Sequence, residues 1–149
     1  MIILVLLLPQ SVRAWSSIDD QILFTCRETG VPFRIAERLF QRESEWNPSA
    51  DSRLVDPTAP RSLGLGQLLE GNLKAFRRFN SGKPIDWKNP FVNAKVSIRY
   101  LAELYATYGN WFEALCAYNE GPGKMESIPG VHFFYERTVQ YAAWILQGG

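Results

Sequence analysis

Two glutamates, Glu43 and Glu45, lie two residues apart, a spacing that bears on acid–base chemistry. On a helix with about 3.6 residues per turn, residues two apart point about 200° away from each other, so only one of them can face the core. Glu43 falls on the apolar face with Leu39, whereas Glu45 shares its direction with polar Gln41. Burial among apolar side chains raises a carboxyl pKa, because desolvation disfavours the charged form. Glu43 is therefore a candidate general acid, able to protonate a leaving oxygen.

A structural role for Glu43 is the alternative that periodicity leaves open. A half-buried carboxylate on a helix can simply pair with an arginine, and Arg42 and Arg99 are the candidates. The choice between the two roles depends on the other motifs in the chain.

Three short segments carry most of the remaining polar residues suited to a binding site. They are Glu-Ser-Glu-Trp-Asn-Pro at 43–48, Gly-Leu-Gly-Gln at 64–67 and Ala-Tyr-Asn-Glu-Gly-Pro-Gly at 117–123. Their order and spacing resemble the three signature motifs of the soluble lytic transglycosylases. Asn93 with Tyr100-Leu101, and residues 136–141, are similar to two further stretches of that family. The likeness covers about residues 18 to 146.

The resemblance implies a peptidoglycan lytic transglycosylase, which cleaves the β-1,4 bond between N-acetylmuramic acid and N-acetylglucosamine without water. Glu43 would act twice: it protonates the leaving oxygen and then takes a proton from the muramic acid 6-hydroxyl, which attacks the anomeric carbon. The product would end in 1,6-anhydro-muramic acid. A single carboxylate is enough for this reaction, where most glycosidases use two.

The resemblance also implies a substrate-binding set around this acid. Its members are Ser44 beside the acid, Gln67 in the turn, Tyr118 as a hydrogen-bond partner, Asn119 toward the sugar and Tyr141 from the last helix. For the two tyrosines, core packing with a hydrated hydroxyl is the alternative, since aromatic residues at helical spacing are usually core.

Three departures from the family pattern concern the cleft. Gly66 stands where the family usually has methionine, which we expect to loosen one side of the sugar site. Glu120 stands where a small residue is usual and adds a carboxylate. The segment 51–62 is longer than is common, which could reshape a subsite or form a partner surface.

Two other functions stay open. A lysozyme-like muramidase would need a second acid to activate water, for which Asp51, Asp56 and Glu120 are candidates. A non-catalytic peptidoglycan-binding module would keep the cleft without turnover, although the presence of the whole motif set argues against this.

Composition narrows the classes of partner and cofactor. The 16 basic and 15 acidic residues give a formal charge of +1, without the basic excess typical of nucleic-acid binding. One histidine and two cysteines are too few for an ordinary zinc site, so we expect no metal and no cofactor. The expected partners are peptidoglycan glycan strands and, beyond them, an envelope-spanning assembly.

The N-terminus predicts export. Residues 1–14 combine an apolar run with a small-residue cleavage site ending at Ala14, typical of a signal peptide, and leave residues 15–149 as the catalytic domain in the periplasm or cell envelope. In an oxidising compartment Cys26 and Cys116 could pair, but the apolar surroundings of Cys116 favour two buried free cysteines.

Helical periodicity runs through the rest of the chain. It predicts helices from Ser17 to Gly30, from Pro32 to Asn47, over 72–79, from Asn89 to Gly109, from Asn110 through Tyr118, and over 135–146. In the fourth of these, the predicted core stripe comprises Ala94, Ile98, Leu101, Leu104, Tyr105 and Tyr108. No strand-like alternation of useful length is found, so the predicted class is all-α, a compact lysozyme-like domain of about six helices.

Overall fold

A computed structural model describes residues 17–122, 126–128, 131–133 and 135–148. Among these residues are six α-helices: α1 Ile18–Thr29, α2 Phe33–Ser44, α3 Leu73–Phe76, α4 Pro90–Tyr108, α5 Trp111–Glu120 and α6 Glu136–Gln147. Short 3-10 segments occupy Ser52–Leu54, Glu70–Asn72 and Arg77–Asn80. The prediction of an all-α domain with about six helices is confirmed.

The predicted signal segment, residues 1–14, lies outside the described residues. Within the part that is described, no helix has both the length and the apolar character needed to span a membrane.

Three helices begin where the sequence predicts them, because each has a side-chain cap. Ser17 accepts a hydrogen bond from the backbone N–H of Asp20, Asn89 accepts from the first turn of α4, and Asn110 accepts from the N–H of Glu113. Such caps satisfy donors that a helix N-terminus otherwise leaves unpaired.

Helix α2 ends three residues earlier than predicted, at Ser44 rather than at Asn47. Glu45 and Trp46 take left-handed backbone conformations, with φ of 53° and 63°. The N–H groups of Glu45 and Trp46 still bond back to the carbonyls of Gln41 and Phe40, which closes the helix end. Glu45 therefore lies beyond the helix, and its exposure follows from this cap and not from helical phase.

Helix α4 lies at the centre of the fold, packed against α1 on one side and α5 on the other, while α6 packs against both α5 and α2. Ile98 and Leu101 of α4 are fully buried, in agreement with the predicted stripe. Tyr105 and Tyr108 depart from it: Tyr105 is 37% exposed and stacks on Trp111, with ring centroids 4.0 Å apart, and Tyr108 is half-buried. The stripe therefore narrows toward the end of the helix.

Two small antiparallel hairpins were not predicted. Strands β1 (Ser62–Leu63) and β2 (Leu68–Leu69) pair with each other, as do β3 (Glu126–Ile128) and β4 (Val131–Phe133). Strands of two or three residues are too short to show alternation in the sequence. The β1–β2 hairpin bears on the candidate site because its turn is the Gly-Leu-Gly-Gln segment, 64–67.

Both cysteines, Cys26 and Cys116, are buried and free. Burial raises the pKa of the Cys26 thiol to about 11 and that of Cys116 to about 12, so both stay protonated near neutral pH. They act as small core residues, as the surroundings of Cys116 predicted.

Candidate active site

Glu43 is the penultimate residue of α2, where the helix gives way to the left-handed pair Glu45–Trp46. Left-handed backbone in a non-glycine residue costs about 1 kcal/mol, so other contacts must hold the pair in place. Trp46 packs on buried Phe40, with ring centroids 5.7 Å apart. This packing fixes the turn that leaves the half-buried carboxylate of Glu43 at the edge of a cavity.

The Glu43 carboxylate accepts a hydrogen bond from the buried hydroxyl of Tyr141 on α6. Two predicted site residues that lie 98 positions apart in the sequence therefore meet. Desolvation raises the pKa of Glu43 from 4.5 to about 7, against the opposing effects of the Tyr141 hydrogen bond and the positive charge of Arg42. Glu43 can therefore hold a proton close to neutral pH, where an ordinary glutamate is ionised.

An arginine salt bridge with Glu43, the alternative left open by the sequence, does not occur among the described residues. Arg99 instead pairs with Glu28 at 3.1 Å and donates to the carbonyl of Phe79. Arg42 lies over the ring of Trp144, with its guanidinium carbon 5.7 Å from the centroid. A carboxylate without an ion-pair partner keeps the high pKa that proton donation requires.

The Gly64–Gln67 turn is held by Asn93, a fully buried residue of α4. The Asn93 side chain accepts a hydrogen bond from the N–H of Gly66 at 2.8 Å and donates to the carbonyls of Leu63 and Trp87 at 3.1 and 3.2 Å. A buried amide with its bonds satisfied in this way fixes the turn against the helix.

Gly66 does not leave one side of the site loose, contrary to our expectation. A Cβ atom on Gly66 would overlap the hydroxyl of Ser97 and come within 2.6 Å of Ser97 Cβ and 2.8 Å of Tyr118 Oη. The space that a side chain would need is already filled. This close approach allows the Tyr118 hydroxyl to donate to the Gly66 carbonyl at 2.7 Å.

Tyr118 lies near the acid without bonding to it. Burial and the negative charge of Glu43 raise the pKa of its hydroxyl well above 10, which keeps it a neutral hydrogen-bond donor. Its ring packs beside Tyr100, with centroids 5.3 Å apart. Part of the core-packing role that we weighed for this residue is therefore real, alongside the polar bond.

Two depressions flank Gln67. The first, which we call the Glu43 pocket, has a volume of about 500 Å³ and is lined by Glu43, Ser44, Asp51, Leu54, Val55 and Gln67, among others. The second, the Tyr118 pocket, has a volume of about 290 Å³ and is lined by Gln67, Phe76, Tyr100, Tyr118 and Asn119, among others. Because Gln67 lines both, the two pockets adjoin at this residue, and we call them together the groove.

The remaining predicted residues also lie along this groove. Ser44 lines the Glu43 pocket, with its hydroxyl donating to the Phe40 carbonyl at 3.3 Å. The Gln67 amide donates to the Gly64 carbonyl at 3.0 Å. Asn119 is exposed, and its side-chain oxygen accepts from Thr138 at 3.2 Å. Five of the six predicted site residues therefore line the two pockets, and the sixth, Tyr141, lies behind them and bonds to Glu43.

The candidates for a second catalytic acid are all engaged by neighbouring groups. Both oxygens of Asp51 accept from Arg61, with the shortest contact at 2.6 Å, which holds the Asp51 pKa below its usual value. Asp56 accepts from the hydroxyl and N–H of Thr58. Glu120 accepts from the N–H of Tyr135 through one oxygen, and its other oxygen is buried without a hydrogen-bond partner among the described residues. Of the three, Asp51 has both oxygens engaged, whereas Asp56 and Glu120 each accept hydrogen bonds through a single carboxylate oxygen.

No group of three or more His, Cys, Asp or Glu residues that could hold a metal ion occurs in the described part of the chain.

Sequence analysis missed two residues that position the groove. Ser97 is fully buried, and its hydroxyl donates to the side-chain oxygen of Asn93 at 3.4 Å. Arg61 forms ion pairs with Asp51, at the start of the 51–62 loop, and with Glu70, beyond its end. A serine four residues after an asparagine, within a buried helical stripe, is the signal that could have identified Ser97. No comparable signal exists for Arg61, whose partners depend on the fold of the loop.

Comparison with known proteins identifies what this chain resembles. The family model described as the transglycosylase SLT domain matches residues 24–129. Protein IpgF of Shigella flexneri is 24% identical over 116 residues, which are 76% of this chain and 75% of that protein.

Two solved structures share the fold. An inactive mutant of lytic transglycosylase Slt from Pseudomonas aeruginosa superposes with a TM-score of 0.68 at 20% identity, over 90% of this chain and 25% of that chain. The 70 kDa soluble lytic transglycosylase of Escherichia coli gives 0.67 at 23% identity, over 86% and 22%. This chain spans about a quarter of the length of these two proteins.

Proposed function

The chain belongs to the transglycosylase SLT family, and from this premise we propose that it is a peptidoglycan lytic transglycosylase in which Glu43 is the one catalytic carboxyl group. The observation that carries the proposal is the setting of Glu43: half-buried, bonded to Tyr141, without an ion-pair partner among the described residues, and with its pKa raised to about 7. A general acid works best when its pKa is close to the working pH.

The reaction needs no second carboxylate. Protonated Glu43 gives its proton to the glycosidic oxygen as the bond from the anomeric carbon to that oxygen breaks. The 6-hydroxyl of the same N-acetylmuramic acid then bonds to the anomeric carbon, and its proton goes to the Glu43 carboxylate. The acid is restored, no water is consumed, and the product carries a 1,6-anhydro ring.

The other groove residues have supporting roles in this proposal. Tyr141 orients the carboxyl group of Glu43, and Tyr118 fixes the turn that presents Gln67. Gln67, Ser44 and Asn119 offer polar groups along the groove to the sugar hydroxyl and acetamido groups. Because Arg61 engages both oxygens of Asp51, this route is favoured over hydrolysis by a water that Asp51 activates.

The location follows from the substrate. A peptidoglycan-cleaving enzyme acts in the cell envelope, and the apolar residues 1–14 support export there. Whether an envelope-spanning assembly is a partner stays a prediction from the sequence.

Analysis of the reaction products tests the proposal. Purified peptidoglycan is digested with the chain from Trp15 onward, and the muropeptides are identified by mass spectrometry. We expect ends that are lighter by one water than hydrolysed ends, as a 1,6-anhydro ring requires. Reducing ends would identify a muramidase instead, and binding without products would identify a non-catalytic module.

A further inference from the structure

The loop of residues 51–62 presents two neighbouring apolar side chains to solvent. Leu54 is 83% exposed and Val55 is 90% exposed, the two highest values among the exposed large apolar residues of the described chain. Both also line the Glu43 pocket. The most exposed apolar pair in the described structure is therefore at the rim of the proposed catalytic cavity.

The loop is held in this form by polar contacts at its base. Arg61 binds Asp51 at 2.6 Å and Glu70 at 2.9 Å, which joins the start of the loop to its end. The Ser52 hydroxyl accepts from the N–H of Ser62 at 2.8 Å and donates to the carbonyl of Pro60 at 3.2 Å. These contacts join the two ends of the loop and leave Leu54 and Val55 exposed between them.

The size of the patch indicates what covers it. A specific protein partner buries about 800 Å² on each side, far more than two side chains supply. A pocket of about 500 Å³ is in the range of sites for small ligands or for part of a chain-like substrate. The molecule that best fits the rim of this pocket is the substrate of the reaction inside it.

We propose that Leu54 and Val55 form a subsite for the peptide attached to N-acetylmuramic acid. This proposal rests on the proposed function. In peptidoglycan the lactyl group of muramic acid carries that peptide, so the methyl groups nearest the sugar lie close to the bond that is cut. Leu54 and Val55 cover these methyl groups, and the enzyme distinguishes strands that carry peptides from strands that do not.

Burial of two exposed apolar side chains is worth about a tenfold preference in binding. The preference of the wild-type protein for peptide-bearing strands over strands stripped of their peptides by an amidase should therefore be about tenfold in kcat/KM. The Leu54→Ser/Val55→Ser double variant should lose most of it, giving a ratio near one.

The experiment measures this ratio for the wild type, the double variant and a control. Val139→Ser is the matched control, since Val139 is a 38% exposed apolar residue of α6 outside both pockets. Dissociation constants of Glu43→Gln proteins, with and without the loop substitutions, are measured on the same two strand preparations. These binding ratios do not depend on turnover, so they test the subsite even if the proposed reaction is wrong.

A lower ratio in the double variant, with a wild-type ratio in Val139→Ser, supports the subsite. Equal ratios in wild type and double variant, in both cleavage and binding, overturn it. An equal loss on both kinds of strand also overturns it, because the pair would then contact the glycan and not the peptide.

Discussion

The chemistry of Glu43 depends on the balance between one raising and two lowering effects on its pKa. Desolvation raises the pKa, while the Tyr141 hydrogen bond and the charge of Arg42 lower it. The resulting pKa of about 7 is high enough for Glu43 to donate a proton and close enough to neutral for its carboxylate to accept one in the second step. One residue can then serve both steps of the reaction.

Removal of the Tyr141 hydroxyl should shift the pH dependence in a defined direction. The hydroxyl bonds to the Glu43 carboxylate and so favours its charged form; Tyr141→Phe should raise the Glu43 pKa. We expect the alkaline fall of kcat/KM to move up by roughly half to one pH unit, with a maximum about tenfold lower because the carboxyl group is less well oriented.

Tyr118→Phe is the control for this profile, because the Tyr118 hydroxyl donates to Gly66 and not to Glu43. Its alkaline limb should stay at the wild-type position. An unmoved or lowered limb in Tyr141→Phe would contradict the assigned role of Tyr141.

At the scale of elements, the groove depends on the contact between the 64–67 turn and helix α4. Gly66 packs so closely on Ser97 that neither residue can gain an atom on the facing side. Asn93 and Tyr118 then bond to the N–H and the carbonyl of Gly66. The turn, α4 and α5 are thereby fixed relative to one another.

The fit between Gly66 and Ser97 predicts a strong coupling between them. Gly66→Ala should destabilise the protein by about 1–3 kcal/mol, because the new methyl group overlaps Ser97. Ser97→Gly removes the two nearest obstructing atoms and leaves the Tyr118 hydroxyl, at a cost of roughly half a kcal/mol in helix propensity and the loss of the Ser97–Asn93 hydrogen bond.

The double variant should recover much of the loss, with a coupling free energy of about 1 kcal/mol or more in a double-mutant cycle by denaturant unfolding. Additive effects of the two substitutions would show that the steric contact is not the cause.

Local chemistry made the starts of helices predictable. Ser17, Asn89 and Asn110 cap helices through their own side chains, and Gly109 takes the left-handed conformation, φ 77°, that ends α4. These features act within a few residues of the chain, so the sequence alone indicates them.

Features that depend on distant contacts were not predictable. The early end of α2 depends on the packing of Trp46 on Phe40. The close contact of Gly66 depends on Ser97, which lies 31 positions further along the chain. The positions of the site residues were predictable from motif resemblance. The bonds between them, above all Tyr141 to Glu43, required the fold.

At the scale of the whole molecule, keeping a carboxyl group out of water costs folding stability. Between pH 4.5 and about 7 the folded protein holds a proton on Glu43 that the unfolded chain has lost, so stability falls as pH rises through this range and is level above it. The burial that raises the Glu43 pKa for the proposed proton donation therefore also lowers the free energy of unfolding above pH 4.5.

Glu43→Gln should escape this loss. Its free energy of unfolding relative to the wild type should increase from pH 4.5 to 7, by at most about 3 kcal/mol and by less to the extent that water reaches the side chain. Denaturant unfolding at several pH values measures it, with Glu45→Gln as the control for loss of one negative charge. A constant difference across the range would contradict the raised pKa.

The central claim, that Glu43 alone is the catalytic acid, is tested most directly by lysis of purified peptidoglycan with Glu43→Gln and Glu45→Gln side by side. The two variants lose the same group two residues apart, and only Glu43 bonds to Tyr141. We predict that Glu43→Gln lowers the rate about a thousandfold while still binding the strands, and that Glu45→Gln retains most of the activity. Lysis at the wild-type rate by Glu43→Gln would contradict the account.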